Sequence, residues 1–180
     1  MSCETYNKYF NPPEPPPAGT HHFESNTASG SPYRLHLRIE PDGRGLLIIN
    51  ASTVLHLNQT ATEYAHSLVN GIPIEETARR MEKRYQVTAD QARLDYQELV
   101  DRIQYLVSTQ DLDPEMYLDF ERLDPYTTQL SAPYRLDCAI TYRLPEDEDA
   151  RFAPLDGVKA ELSTSEWKQI FDKAWQAGIP

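Results

Sequence analysis

The sequence predicts an α+β protein, in which a small antiparallel sheet comes first and a group of three helices follows. Two observations carry this prediction. Between residues 33 and 57 apolar residues alternate with polar ones, and between residues 58 and 110 apolar residues recur at helical spacing. Near the end of the chain one further strand pattern and one further helix pattern form a single βα unit. We therefore expect a compact central module followed by a smaller C-terminal element.

Three strands are predicted from alternation and from turn chemistry. The first begins at Tyr33, and its apolar and polar residues alternate through Glu40, which is typical of a half-buried strand. A Pro-Asp-Gly turn then leads to a second strand at 46–49, since glycine accepts the positive φ of such turns. A third strand is predicted at 53–57. A three-stranded meander is marginal by itself, so the helices are expected to cover one of its faces.

Three helix starts are marked by capping residues. Asn58 is a favourable N-cap for the first helix, and Gly71 is predicted to end it. Pro73 lies near the first turn of the second helix, and Thr88 with Gln91 has the spacing of a capping box at the start of the third. Because the connections are short, the helices must pack as close neighbours. Residues 33–110 are thus predicted to form a compact module of three strands and three helices.

Residues 1–32 are predicted to be a disordered tail. Five prolines lie between Pro12 and Pro17, and the residues after them are rich in Gly, Ser, Thr and Asn without apolar periodicity. Such a segment buries too little apolar surface to offset the entropy of ordering it. Within the tail, His21 and His22 are interpreted as solvated side chains rather than as a metal site.

Residues 111–132 are predicted to be a linker, and residues 133–180 the βα unit. The strand of that unit is predicted from Tyr134 to Tyr142. Its helix begins with a capping box formed by Ser163 and Glu166 and carries a wide apolar stripe. An exposed stripe of this kind needs a partner, so the helix is expected either to dock on the central module or to mediate self-association.

Composition and charge exclude several classes of function. The net charge is −11, from 28 acidic and 17 basic residues, which argues against a general nucleic-acid binder. Two cysteines cannot form a disulfide framework. The chain has no apolar stretch long enough to span a membrane, and its first residues lack the pattern of a secretory signal. We therefore expect a soluble, cytoplasmic protein.

Four segments of the central module resemble the PqqD family of peptide chaperones. They are LLIIN at 46–50, VLHLNQTA at 54–61, LVNG at 68–71 and YQV at 85–87. In that family a hydrophobic strand, a strand-to-helix junction ending in Leu-Asn and a helix ending in Asp/Asn-Gly follow one another. The resemblance covers about residues 33–110 and implies a winged-helix-like fold.

The resemblance implies a function and a binding site. PqqD-like domains bind the leader of a ribosomally made precursor peptide and present the precursor to a modifying enzyme. The leader adds as a strand beside the third strand and packs against the third helix. The residues implied here are Thr53, Val54, Leu55, His56 and Leu57 on the strand, with Arg93, Tyr96, Gln97 and Val100 on the helix. Alternatively, Val54, Leu55 and Tyr96 belong to the core, and Arg93 and Gln97 to a solvated helix face.

The C-terminal unit resembles the start of a radical S-adenosylmethionine domain. The segments APYRLDCAITYR at 132–143 and ELSTSEWKQI at 161–170 look like the first strand and first helix of that barrel. Between them the family carries CxxxCxxC, whose thiolates hold a [4Fe–4S] cluster that binds S-adenosylmethionine. Here the matching positions are Leu144, Glu148 and Arg151, which cannot replace soft sulfur ligands. We therefore expect this chain to hold neither cofactor and to have no catalytic residues of its own.

Three functional hypotheses follow. The preferred one is a leader-peptide-binding domain that serves a radical S-adenosylmethionine maturase. The second is an N-terminal part or a split subunit of such an enzyme. The third is a winged-helix DNA-binding regulator, which the charge of the third helix disfavours because residues 90–106 hold four acidic residues against two arginines.

Overall fold

The computed structural model describes residues 14–25, 32–109, 130–141 and 161–180. The chain divides into two compact units, Met1–Ser131 and Ala132–Pro180. Their described residues form an α+β protein with a four-stranded antiparallel sheet and four helices. None of these helices combines the length and apolar content that a membrane crossing requires.

The sheet of the first unit is a meander whose strands lie side by side in chain order. Its strands are β1 (Gly19–Ser25), β2 (Tyr33–Ile39), β3 (Gly45–Ile49) and β4 (Thr53–Leu57). Each strand pairs antiparallel with the next one along the chain. The predicted meander is therefore present, but within the described residues it has one more strand than expected.

Strand β1 corrects the prediction that residues 1–32 are wholly disordered. All seven of its residues pair with β2, from Gly19 opposite Ile39 to Ser25 opposite Tyr33. Phe23 packs on the core beside the ring of Tyr33, with the ring centroids 6.0 Å apart. The prediction failed because the strand holds a single large apolar residue, and its stability comes from pairing with β2 rather than from a pattern of its own. Residues 1–13 and 26–31 lie outside the described residues.

Three helices follow the sheet and begin at the predicted caps. They are α1 (Gln59–Val69), α2 (Ile74–Arg84) and α3 (Ala89–Ser108). The Asn58 side chain accepts a hydrogen bond from the backbone N–H of Ala61 at 2.8 Å. Half of the predicted capping box of α3 forms, since Thr88 Oγ1 accepts from the Gln91 N–H at 3.2 Å. The Gln91 side chain does not close the box but donates to Asp95 at 2.7 Å.

Two apolar clusters hold the first unit together. The larger one joins β2, β3 and β4 to α1 and α3, and it contains Leu37, Leu47 and Ile103, each at most 1% exposed. The smaller one joins the three helices through Tyr64, Met81 and other residues. The helices thus supply the cover that the sheet was predicted to need on one face.

The centre of the opposite face of the sheet is also buried, which corrects the half-buried reading of β2. His36, Arg38 and Glu40 were predicted to face solvent, yet all three are buried, as are Leu46 and Ile48 of β3 beside them. The polar groups are accommodated by partners, because a buried polar group is costly unless it is hydrogen-bonded. Alternation along one strand shows which residues share a face, but it does not show whether that face is covered.

The second unit contains the helix α4 (Thr164–Gln176). Its predicted capping box is present: Ser163 Oγ accepts from the Glu166 N–H, and the Glu166 carboxylate accepts from the Ser163 N–H. Trp167 stacks on Phe171 with the ring centroids 5.7 Å apart. The predicted strand from residue 134 is wrong for residues 134–141, which form no strand. Tyr142 lies outside the described residues, as do the positions matched to the cluster cysteines.

Candidate functional site

Strand β4 is an edge of the sheet. Within the described residues it pairs with β3 alone, in a register that sets Ile49 opposite Thr53 and Gly45 opposite Leu57. The hairpin turn before it holds Asn50 and Ala51 at φ values of 52° and 57°, which is the backbone of a tight turn with positive φ at both central residues. An edge strand presents every second backbone N–H and C=O group away from its partner, so it can accept another extended chain.

The side chains of β4 divide between the two faces of the sheet. Leu55 and Leu57 belong to the larger core cluster, where Leu57 is buried and Leu55 is half-buried. Val54 is half-buried and lies in neither apolar cluster, whereas His56 is exposed. Although His56 is exposed, partial desolvation of its ring, followed by the positive charge of Arg44, lowers its pKa. Leu55 and Leu57 therefore anchor the edge, and Val54 is the apolar side chain of β4 that a bound strand could cover.

Arg93 is the predicted helix residue most heavily engaged within the chain. Its guanidinium donates to both carboxylate oxygens of Glu75 on α2, with a shortest N–O distance of 2.7 Å, and to Asp90 at 2.6 Å. The hydrogen bonds from Arg93 lower the pKa of the Glu75 carboxyl. The Arg93 side chain thus lies against the start of α2, and an incoming acidic peptide would have to compete with two carboxylates.

Tyr96 packs inside the helical layer. Its ring meets Tyr64 of α1 edge to face at a centroid distance of 6.2 Å, and it borders the smaller core cluster. Burial raises the pKa of its hydroxyl. The alternative reading of Tyr96 as a packing residue agrees with this position.

Gln97 and Val100 lie further along α3. Gln97 is exposed, and its amide donates to Asp101 at 2.8 Å. Val100 is half-buried and, like Val54, belongs to neither core cluster. The larger core cluster does join β4 to α3, because Leu55 and Ile103 both contribute to it. Of the four predicted helix residues, Val100 has the properties of an apolar contact for a bound peptide.

A close pair of histidines lies between β1 and β2. His22 was predicted to be a solvated side chain, and His36 was predicted to lie on the polar side of a strand. The Nδ1 atoms of His22 and His36 are 2.7 Å apart, so one ring donates a hydrogen bond and the other must accept it in its neutral form. Burial, followed by the charges of His22 and Arg34, lowers the pKa of His36 to about 4. Partial desolvation, followed by the charge of His21, lowers the pKa of His22, although this residue is exposed. No spacing within the sequence points to this pair, because its members come from two different strands.

The histidine pair predicts a loss of stability in acid. The pKa of His36 is lower in the folded protein than the value of about 6.5 for an unfolded chain, so the unfolded state takes up the proton first as the pH falls. The stability that depends on a neutral His36 is fully present above about pH 6.5, and it is lost as the pH falls from there to about 4. In urea titrations we expect wild type to lose about 2 kcal/mol more than His36→Asn between pH 7.5 and 4.5. Equal losses in the two proteins would contradict this assignment.

The described residues contain no group of three or more His, Cys, Asp or Glu side chains arranged to hold a metal ion. Comparison with protein-family models found no match, and neither did comparisons with curated proteins and with solved structures.

Proposed function

We propose that the first unit binds an extended peptide by strand addition at β4, and that this peptide is the leader of a ribosomally synthesised precursor. The observation that carries the proposal is the position of β4, which is an edge in the described sheet and lies directly before α1. Main-chain hydrogen bonds would supply affinity, and the half-buried Val54 and Val100 would supply apolar contacts for alternate peptide side chains. The winged-helix-like description of the module belongs to the same proposal.

The proposed role of the bound leader is presentation to a radical S-adenosylmethionine maturase. Its support is the resemblance of residues 33–110 to PqqD-like chaperones and the missing cluster cysteines at 144, 148 and 151. A chain without those ligands needs an intact enzyme as its partner. The helix α4 adds an apolar surface on the second unit, where Phe171 and Trp175 are 45% and 46% exposed. We propose that self-association or maturase binding uses this helix.

Strand addition is tested by panning a peptide library on the full chain and mapping the selected peptide by backbone amide shifts. We expect the largest shifts in residues 53–57 and in the part of α3 between residues 93 and 100. Because β1 is the other edge of the described sheet, it serves as an internal control. The largest shifts on β1, or selected peptides that bind as helices, would contradict the proposed site.

A pair of proline variants tests the backbone contribution. Adjacent N–H groups of a strand point to opposite sides, so one of Val54 and Leu55 donates to β3 and the other points to the free edge. Of Val54→Pro and Leu55→Pro, one should reduce peptide affinity at least tenfold with a modest loss of stability. The other should lower stability strongly, because it removes a hydrogen bond of the sheet. If both variants fold and bind like wild type, the main chain of β4 is not the binding element.

A further inference from the structure

The arginines of the described residues are almost all neutralised by carboxylates. Seven of the nine form ion pairs with Asp or Glu; these are Arg34, Arg38, Arg44, Arg84, Arg93, Arg102 and Arg135. The two exceptions, Arg79 and Arg80, are neighbours on α2. In a chain with a net charge of −11, carboxylates are abundant, so two adjacent arginines without one are unusual.

A third cation extends this region by one helical turn. Lys83 lies three and four residues after the two arginines, and residues at these spacings share one helix face. Arg79 and Lys83 are exposed, and Arg80 is half-buried. Arg79 donates to the backbone carbonyl of Glu75 at 3.2 Å and forms no ion pair in the described part of the chain. Its charge does act on the Glu75 carboxyl, whose pKa is lowered by Arg93 first and by Arg79 in addition, but that carboxylate is already ion-paired with Arg93. Glu76, one turn earlier on α2, forms no ion pair with these cations in the described part of the chain.

Two histidines adjoin the cations. The rings of His21 on β1 and His66 on α1 meet edge to face with a centroid distance of 4.7 Å. Burial, followed by the charges of His21 and Arg80, lowers the pKa of His66, so the Arg80 charge acts on this pair. We call the surface formed by His21, His66, Arg79, Arg80 and Lys83 the basic face. It draws on β1, α1 and α2, whereas the proposed peptide site lies at β4, the opposite edge of the sheet.

We propose that the basic face binds an acidic polypeptide segment that carries several Asp or Glu side chains. Clustered cations repel one another, and a segment of carboxylates would relieve this repulsion. Arginine also matches carboxylates with two parallel hydrogen bonds, which favours this ligand over a diffuse ion cloud. A long nucleic acid would bring many phosphates against the acid excess of the rest of the chain. The proposal does not depend on peptide binding at β4.

The test uses the full chain and a fluorescently labelled decaglutamate peptide at low ionic strength. We expect Arg79→Gln with Arg80→Gln to weaken binding at least tenfold. The matched control is Arg44→Gln with Arg102→Gln, which removes the same net charge from two ion-paired positions elsewhere. We expect the control to bind within about twofold of wild type. Equal weakening in the two double variants would overturn the proposal, because binding would then follow net charge alone.

A second measurement uses the wild-type chain and is therefore independent of how the variants fold. Adding decaglutamate should shift the amides of residue 66 and residues 79–83 most, and it should raise the pKa of His66, because a carboxylate offsets the charges of His21 and Arg80. An unchanged His66 pKa, or shifts centred elsewhere, would overturn the proposal. Tighter binding of a DNA duplex than of decaglutamate at the same residues would assign the surface to nucleic acid instead.

Discussion

Replacing Glu40 with alanine should lower the free energy of unfolding by about 3–5 kcal/mol, because it removes the carboxylate from a buried ion pair. Glu40 accepts a hydrogen bond from Arg38 Nε at 3.0 Å, and the two side chains are only 9% and 4% exposed. The same carboxylate accepts from the backbone N–H and the hydroxyl of Ser131, both at 3.1 Å. Alanine leaves the Arg38 charge and the Ser131 donors without this acceptor.

Two companion variants separate charge from hydrogen bonding. Glu40→Gln keeps an acceptor for Ser131 but removes the charge. Its free energy of unfolding should therefore lie between those of wild type and Glu40→Ala. Glu98→Ala breaks an exposed pair with Arg102 and should cost no more than about 0.5 kcal/mol. Urea titrations at pH 7.5 provide the comparison. If Glu40→Ala costs no more than Glu98→Ala, the buried pair does not stabilise the fold.

Replacing Gly45 with alanine should cost about 2–3 kcal/mol, because the new methyl group has no room. A Cβ at this position would lie 2.7 Å from Oγ1 and 2.9 Å from Cγ2 of Thr62. Thr62 is fully buried, and its hydroxyl donates to the Asn58 carbonyl at 2.7 Å, so the side chain cannot easily move away. At Gly45, β3 approaches α1 more closely than a side chain at this position would allow.

A double-mutant cycle tests this cause directly. Thr62→Ala removes the two atoms that would lie closer than 3.0 Å to the new methyl group and leaves only Leu37 Cδ1 at 3.3 Å, so Gly45→Ala should cost much less in the Thr62→Ala background than in wild type. The difference between the two costs of Gly45→Ala is the coupling energy of the two positions. It is measured by thermal or urea unfolding of all four proteins. Additive losses would show that Gly45 is required for another reason, such as strand backbone geometry.

Local patterns predicted the elements whose causes are local. Strand β4 begins and ends at the predicted residues, and Asn58 and the Ser163–Glu166 box start their helices as expected. These features depend on neighbouring residues, so a short stretch of sequence contains the whole cause. Strand β1 was missed because its stability comes from pairing with β2. The strand predicted from residue 134 was wrong for residues 134–141, because in the described residues no partner strand pairs with them.

The candidate site was predictable only in part, for the same physical reason. The placement of residues 53–57 on a strand needed only the local pattern, and among the described strands this one lies at an edge. The state of Arg93 depends on Glu75, which lies 18 residues away on another helix. Arg84 pairs in the same way with Glu63 of another helix, whereas Arg44 and Arg102 pair with carboxylates no more than four residues away.

The chain-order arrangement of the sheet has a consequence for how the protein folds. Each strand pairs with the strand that precedes or follows it, so every sheet contact closes a short loop. Low contact order favours rapid folding, because closing a short loop costs little entropy before the strands form their hydrogen bonds. Moreover, β1 to β4 are complete before α1 begins, so the whole meander leaves the ribosome before any of the helices that cover it. We expect hairpins to form early and the sheet to become stable only when α1 and α3 pack on it.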